Sequence, residues 1–151
     1  VRDNVTNIVW EVKTDDGGLR DKENTYSWYN TDTMINFGNA GAENAGTCPD
    51  SGNCDTRKYA ASVNAAGLCG ANDWRMPNRE ELRSIVDFSD FEPALDVNYF
   101  PFAETEDEPY WSSASYAGDA SFGWIVSFDN GEDDTRAKST GIRVRLMRVA
   151  E

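Results

Sequence analysis

The sequence predicts an α+β domain in which two helices pack on a twisted antiparallel sheet and long irregular loops join the elements. Three observations carry this expectation. Tyr59, Ala60, Val63 and Ala66 fall on one face of a helical period. Asn78-Arg79-Glu80-Glu81 has the form of a capping box ahead of the apolar stripe Leu82, Ile85 and Val86. Near the end, Ile142, Val144 and Leu146 alternate with Arg143 and Arg145, which is the period of a strand.

Taken in order, Ile8, Trp10 and Val12 alternate with Val9, Glu11 and Lys13, so residues 8–13 read as the opening strand, ended by the turn Asp15-Asp16-Gly17-Gly18. The first helix follows Cys54, with Asp55 or Thr56 as its N-cap and Gly67 past its end. About thirteen residues rising ~1.5 Å each then hold Cys54 and Cys69 roughly 20 Å apart, whereas a disulfide needs Cα atoms within about 7 Å. Cys48–Cys54 is therefore the preferred bridge and Cys48–Cys69 the alternative. The odd thiol is expected to be buried as a small hydrophobe, the other reading being a partner cysteine ahead of Val1. Trp74 and Arg75, between the two helices, read as structural, an aromatic at such a junction being core. Residues 110–113, 123–128 and 142–149 are the remaining strands, and Asp129-Asn130-Gly131 marks a hairpin turn because Asn-Gly tolerates positive φ.

A chain of 151 residues suits one domain, 1–151. Such a chain buries about 70% of the surface that its unfolded form exposes. The chain has no apolar run of the ~18 residues that a membrane helix needs and no signal-like start, and it reads as excised from a longer precursor. The net charge of −13 repels phosphate backbones and anionic membranes, which argues against nucleic acid and membrane insertion. Three cysteines and no histidine leave structural zinc without ligands. The missing histidine also removes the usual triad base, so the chain is not expected to be an enzyme. Carboxylate-pair hydrolysis would need Asp107 or Glu108 opposite Asp129 or Asp133.

Calcium, which takes six to eight oxygens, is the metal the acidic loops could hold. Three loops compete: Asp15-Asp16 with Asp21, residues 104–108, and Asp129 with Glu132, Asp133 and Asp134. None has the spacing of an EF-hand. Sugar binding without metal combines an exposed aromatic face with planar polar groups, and residues 115–134 supply Tyr116, Asp119, Phe122 and Asn130 as ligand-binding candidates. Trp111, Trp124 and Phe128, on strands, are expected to pack inside. Residues 25–37, with Tyr26, Trp28 and Tyr29, form a second aromatic segment.

The stretch from Cys69-Gly70-Ala71-Asn72-Asp73-Trp74-Arg75-Met76-Pro77 through Leu82, with Trp10-Glu11-Val12-Lys13-Thr14, Asn24-Thr25-Tyr26-Ser27-Trp28-Tyr29, Tyr110-Trp111-Ser112-Ser113 and Val144-Arg145-Leu146-Met147-Arg148, resembles the C-terminal domain family of the Legionella collagen-like adhesin. The resemblance runs nearly end to end. It implies a C-type-lectin-like fold in an extracellular or cell-surface bacterial protein, a structural role for Trp28, a glycan or cell-surface protein as ligand, and a homotrimer or a larger surface assembly. The best-known member is associated with sulfated polysaccharides, a ligand that the charge of this chain disfavours. The expectation is thus a non-enzymatic adhesion module. The alternative is a structural cap or spacer of a surface fibre with no soluble ligand.

Overall fold

The computed structural model describes residues 1–90, 92–101 and 109–150. The candidate acidic loop at 104–108, with Asp107 and Glu108, lies outside them. The architecture is α+β. Strand β1 (Ile8–Trp10) pairs antiparallel with β5 (Met147–Val149), and a second antiparallel sheet has the order β2 (Pro109–Ser115), β3 (Phe122–Ser127), β4 (Asp133–Ala137). Helices are α1 (Thr33–Asn36), a single turn not expected from the sequence, α2 (Thr56–Ala65) and α3 (Arg79–Arg83).

The three-stranded sheet separates two apolar clusters, and alternation at Tyr110–Trp111 and Ile125–Val126 does the sorting, ahead of a register shift in β2 between Trp111 and Ser115. Trp111 and Ile125 enter one cluster with Tyr26, Trp28, Tyr59, Val63, Trp74 and Val144. Their neighbours Tyr110 and Val126 enter the other with Trp10, Leu82, Leu95, Phe100 and Phe128. Helix α2 contributes Tyr59 and Val63 to the first cluster and α3 contributes Leu82 to the second. Both begin as expected: Asp55 caps α2 by accepting from the Lys58 amide, and Asn78 and Glu81 complete a reciprocal capping box on α3. Trp74 is buried, as expected of an aromatic at the junction.

The bridge is Cys48–Cys54, with Cα atoms 5.6 Å apart. Cys69 corrects the expectation of burial, since its thiol is free and exposed. It sits in the 3-10 turn Leu68–Gly70 with φ +55°, past the end of α2. The Asn-Gly turn forms where expected between β3 and β4. Gly131 there has φ +78°, and a Cβ would lie 2.5 Å from Val86 Cγ1, so only glycine fits.

Alternation in the first and last strands would place Glu11, Lys13, Arg143 and Arg145 outward, yet all four are buried. Strand β1 stops at Trp10, and the chain turns Glu11 inward so that its carboxylate accepts from the Leu146 amide at 2.9 Å and from Lys13 Nζ at 3.3 Å. The Tyr59 hydroxyl also donates to that carboxylate, while Lys13 Nζ donates to the Tyr59 oxygen at 2.8 Å. Arg145 donates to the Glu11 carbonyl at 2.8 Å and lies against the rings of Phe100 and Tyr110. Burial pushes the Lys13 ammonium down and the Tyr59 hydroxyl well up. A charged group goes inside when its polar atoms meet partners and its stem meets aromatic surface.

Candidate functional site

The β2–β3 turn brings three of the four ligand-binding candidates together. The Tyr116 amide donates to the Phe122 carbonyl at 2.9 Å and the Phe122 amide to the Asp119 carbonyl at 3.0 Å, closing the turn. Asp119 accepts from the Ser121 hydroxyl and amide, and these bonds hold its carboxyl below the usual range. Tyr116 is 36% exposed. Its ring lies over Gly118, where a Cβ would come within 2.6 Å of Cζ. Asn130 stands at the other end of β3, roughly 20 Å along the strand from Phe122 by strand rise, and does not join them.

Trp124, expected inside, is half-buried. Gly123 and Ile125 take the core-facing positions of β3, against Trp28 and Trp111, which leaves Trp124 on the opposite face where the short α3 covers only part of it. The Arg79 guanidinium lies over the indole at 4.2 Å, and the Tyr116 ring meets it edge-on at 5.5 Å. Arg79 is itself held by Asp133 at 2.9 Å, a carboxylate it shares with Arg83 at 3.2 Å. Phe122 alternates onto the same face of β3 as Trp124, and the result is an aromatic patch of Tyr116, Phe122 and Trp124 with a fixed cation over the indole. Cation–π contact and the ion pair to Asp133 preorganise it. Sequence reasoning missed Arg79, whose capping position signalled helix geometry and not where its side chain reaches.

The acidic candidates are distributed differently. Asp133 and Asp134 lie on opposite faces of β4; Asp133 is paired as above and Asp134 with Arg136. Glu132 is bonded to Asn130 through its side chain at 3.2 Å, and Asp129 lies half-buried in the turn. In the loop at 15–21, Asp21 accepts from the amides of Asp16, Gly17 and Glu23, bonds that lower its pKa and staple the loop. Among the described residues no three metal-ligating side chains are grouped to hold an ion.

The second aromatic segment is largely structural. Trp28 is 1% exposed, its indole N–H donates to the Ser112 carbonyl at 3.0 Å, and Lys138 Nζ sits 4.0 Å over its ring. Tyr26 is buried as well. Tyr29 remains at the wall of an open groove of about 430 Å³ with Ile35, Arg57, Arg75 and Met76. No helix among the described residues is long and apolar enough to cross a membrane. Compared with known proteins, residues 1–148 match one family model, described as the Lcl C-terminal domain. No curated protein and no solved structure matches the chain.

Proposed function

The chain belongs to the Lcl C-terminal domain family; from that premise we propose that it acts outside the cell as a non-enzymatic adhesion module, on a C-type-lectin-like scaffold, and recognises a neutral glycan through the face of Tyr116, Phe122 and Trp124. The observation that carries this reading is the ring of Tyr116, partly exposed yet held in place by Gly118 beneath it and Trp124 beside it. Pyranose C–H groups pack on such a ring, and a ring already held loses little freedom on binding. Asp119, next to it, offers acceptor oxygens for hydroxyl groups. The net charge of −13 favours a neutral sugar over a sulfated one.

A glycan array tests the reading, run with wild type and Tyr116→Ala, each in calcium and in chelator. Binding of neutral glycans that the substitution removes and the chelator spares supports it. Binding lost in chelator would shift recognition to a calcium-ordered loop, with Asp129, Glu132, Asp133 and Asp134 as first candidates. Silence throughout would favour a protein receptor or a structural cap or spacer.

A further inference from the structure

Strand β4 closes one side of the three-stranded sheet and, among the described residues, pairs as a strand with β3 alone. The register determines which of its backbone groups face outward. Ser127 N donates to the Glu132 carbonyl at 2.8 Å and Lys138 N to the Ser121 carbonyl at 2.9 Å. In the same register Ile125 opposes Asp134 and Gly123 opposes Arg136. Because hydrogen-bonded and non-hydrogen-bonded pairs alternate in an antiparallel ladder, the amides of Asp134 and Arg136 point at β3, and those of Asp133, Thr135 and Ala137 point away from it.

The outward groups of Thr135 are met by its neighbours' side chains. Its N–H donates to Asp134 Oδ1 at 2.7 Å, and its carbonyl accepts from Arg136 Nη1 at 3.0 Å. Asp134 and Arg136 are paired with each other, and their side chains are 62% and 41% exposed. These are solvent-facing, sequence-local contacts, the kind that exchange at little cost.

We propose that this edge is a homotypic interface, in which two copies of the chain pair their β4 strands antiparallel about a two-fold axis through Thr135. The sequence of the strand is self-complementary in that arrangement. Thr135 exchanges N–H and C=O bonds with its counterpart, Asp133 opposes Ala137, and Asp134 of each copy opposes Arg136 of the other. The positions 134 and 136 are then non-hydrogen-bonded partners, the pairs whose side chains approach most closely, with Cβ atoms about 4.5–5.5 Å apart. Together the two copies give up two internal ion pairs and four local bonds and form two ion pairs and two Thr135 ladder bonds; in the same register the Ala137 amide of each copy faces the Asp133 carbonyl of the other, while the Ala137 carbonyl already accepts from Thr140. Joining the ladders also covers the open β4 edge of each copy. The net charge of −13 per copy opposes the approach at low salt, and at physiological salt a Debye length of about 8 Å screens all but the nearest charges. Since Trp124 opposes Thr135 and shares its face, the two-fold would place both aromatic faces on one side of a six-stranded sheet, their β3 strands about 14 Å apart at three strand spacings.

The test is sedimentation velocity on the intact chain, from micromolar to near-millimolar concentration in physiological salt. Wild type is expected to dimerise reversibly. Asp134→Arg and Arg136→Asp are each expected to weaken dimerisation by about tenfold or more, because both cross-strand pairs become repulsive. An equimolar mixture of the two variants is expected to regain dimer, since the Asp134→Arg copy then sets two arginines against the two aspartates of the Arg136→Asp copy, one pair on each side of the axis. Both substitutions are on exposed side chains, and circular dichroism confirms that each variant is folded. A wild type that stays monomeric or forms trimers, variants that dimerise like wild type, or a mixture that stays monomeric would each overturn the proposal. None of these results depends on the glycan reading, which the array tests separately.

Discussion

Glu11 is where the beginning, the middle and the end of the chain meet in one side chain, which touches Lys13, Tyr59 and Leu146. Replacing it with alanine leaves a buried ammonium without its counter-charge, so Glu11→Ala is expected to cost about 3–5 kcal/mol in urea unfolding. A cost under about 1 kcal/mol would mean that the network relaxes around the loss. Lys138 gives a different signature. It is buried against Trp28, donates to the carbonyl of Asn39 at 2.7 Å, and has no carboxylate partner among the described residues, so burial lowers its pKa from 10.5 to about 8. Below pH 8 both folded and unfolded chains hold this proton; between about 8 and 10.5 only the unfolded chain does, so this lysine makes stability rise with pH across that window. Lys138→Met should remove that rise, seen as the difference between the two proteins' urea midpoints from neutral pH upward. Gly118→Ala should push the Tyr116 ring aside and reduce glycan binding while shifting stability by no more than about 0.5 kcal/mol, because the crowded atoms belong to a side-chain tip.

Elements whose cause is local were legible in the sequence. The capping box at Asn78, the Asp55 cap and the turn at Asn130-Gly131 each depend on residues within three or four positions of one another, so spacing alone exposes them. Strand β4 was not legible: Asp133-Asp134-Thr135-Arg136 has little intrinsic strand preference and becomes a strand because the turn returns it alongside β3. The inward turn of Glu11 and Lys13 was hidden for the same reason, since apart from each other their partners lie 46 to 135 residues away. Trp124 shows the limit within one strand, where the two-residue period is plain but the sequence does not say how far a five-residue helix extends over one face. Helix α3 also connects stability with the candidate site. Asn78→Ala should cost about 1 kcal/mol and, by loosening the first turn that carries Arg79, increase the exposure of Trp124 measured by acrylamide quenching.

The molecule as a whole joins a short covalent loop to two apolar clusters divided by a sheet. Reduction of Cys48–Cys54 should lower stability by about 2 kcal/mol, and before reduction a thiol reagent should titrate one cysteine per native chain, Cys69. Two or more reactive thiols in the native protein would contradict the bridge. The pairing of β1 with β5 has a mechanical meaning. Ile8 opposes Val149 and Trp10 opposes Met147, so the backbone entering β1 and the backbone leaving β5 depart from the same end of a three-rung ladder. Residues 1–3 fold back on β1, the Trp10 amide donating to the Val1 carbonyl at 2.7 Å and the Asp3 amide to the Ile8 carbonyl at 2.8 Å, so a pull on the two backbone ends would peel this arm first and then open the rungs one after another, as a zipper parts. A protein loaded through this module would therefore yield at the N-terminal arm and then at that ladder, before the sheet that carries Tyr116 and Trp124.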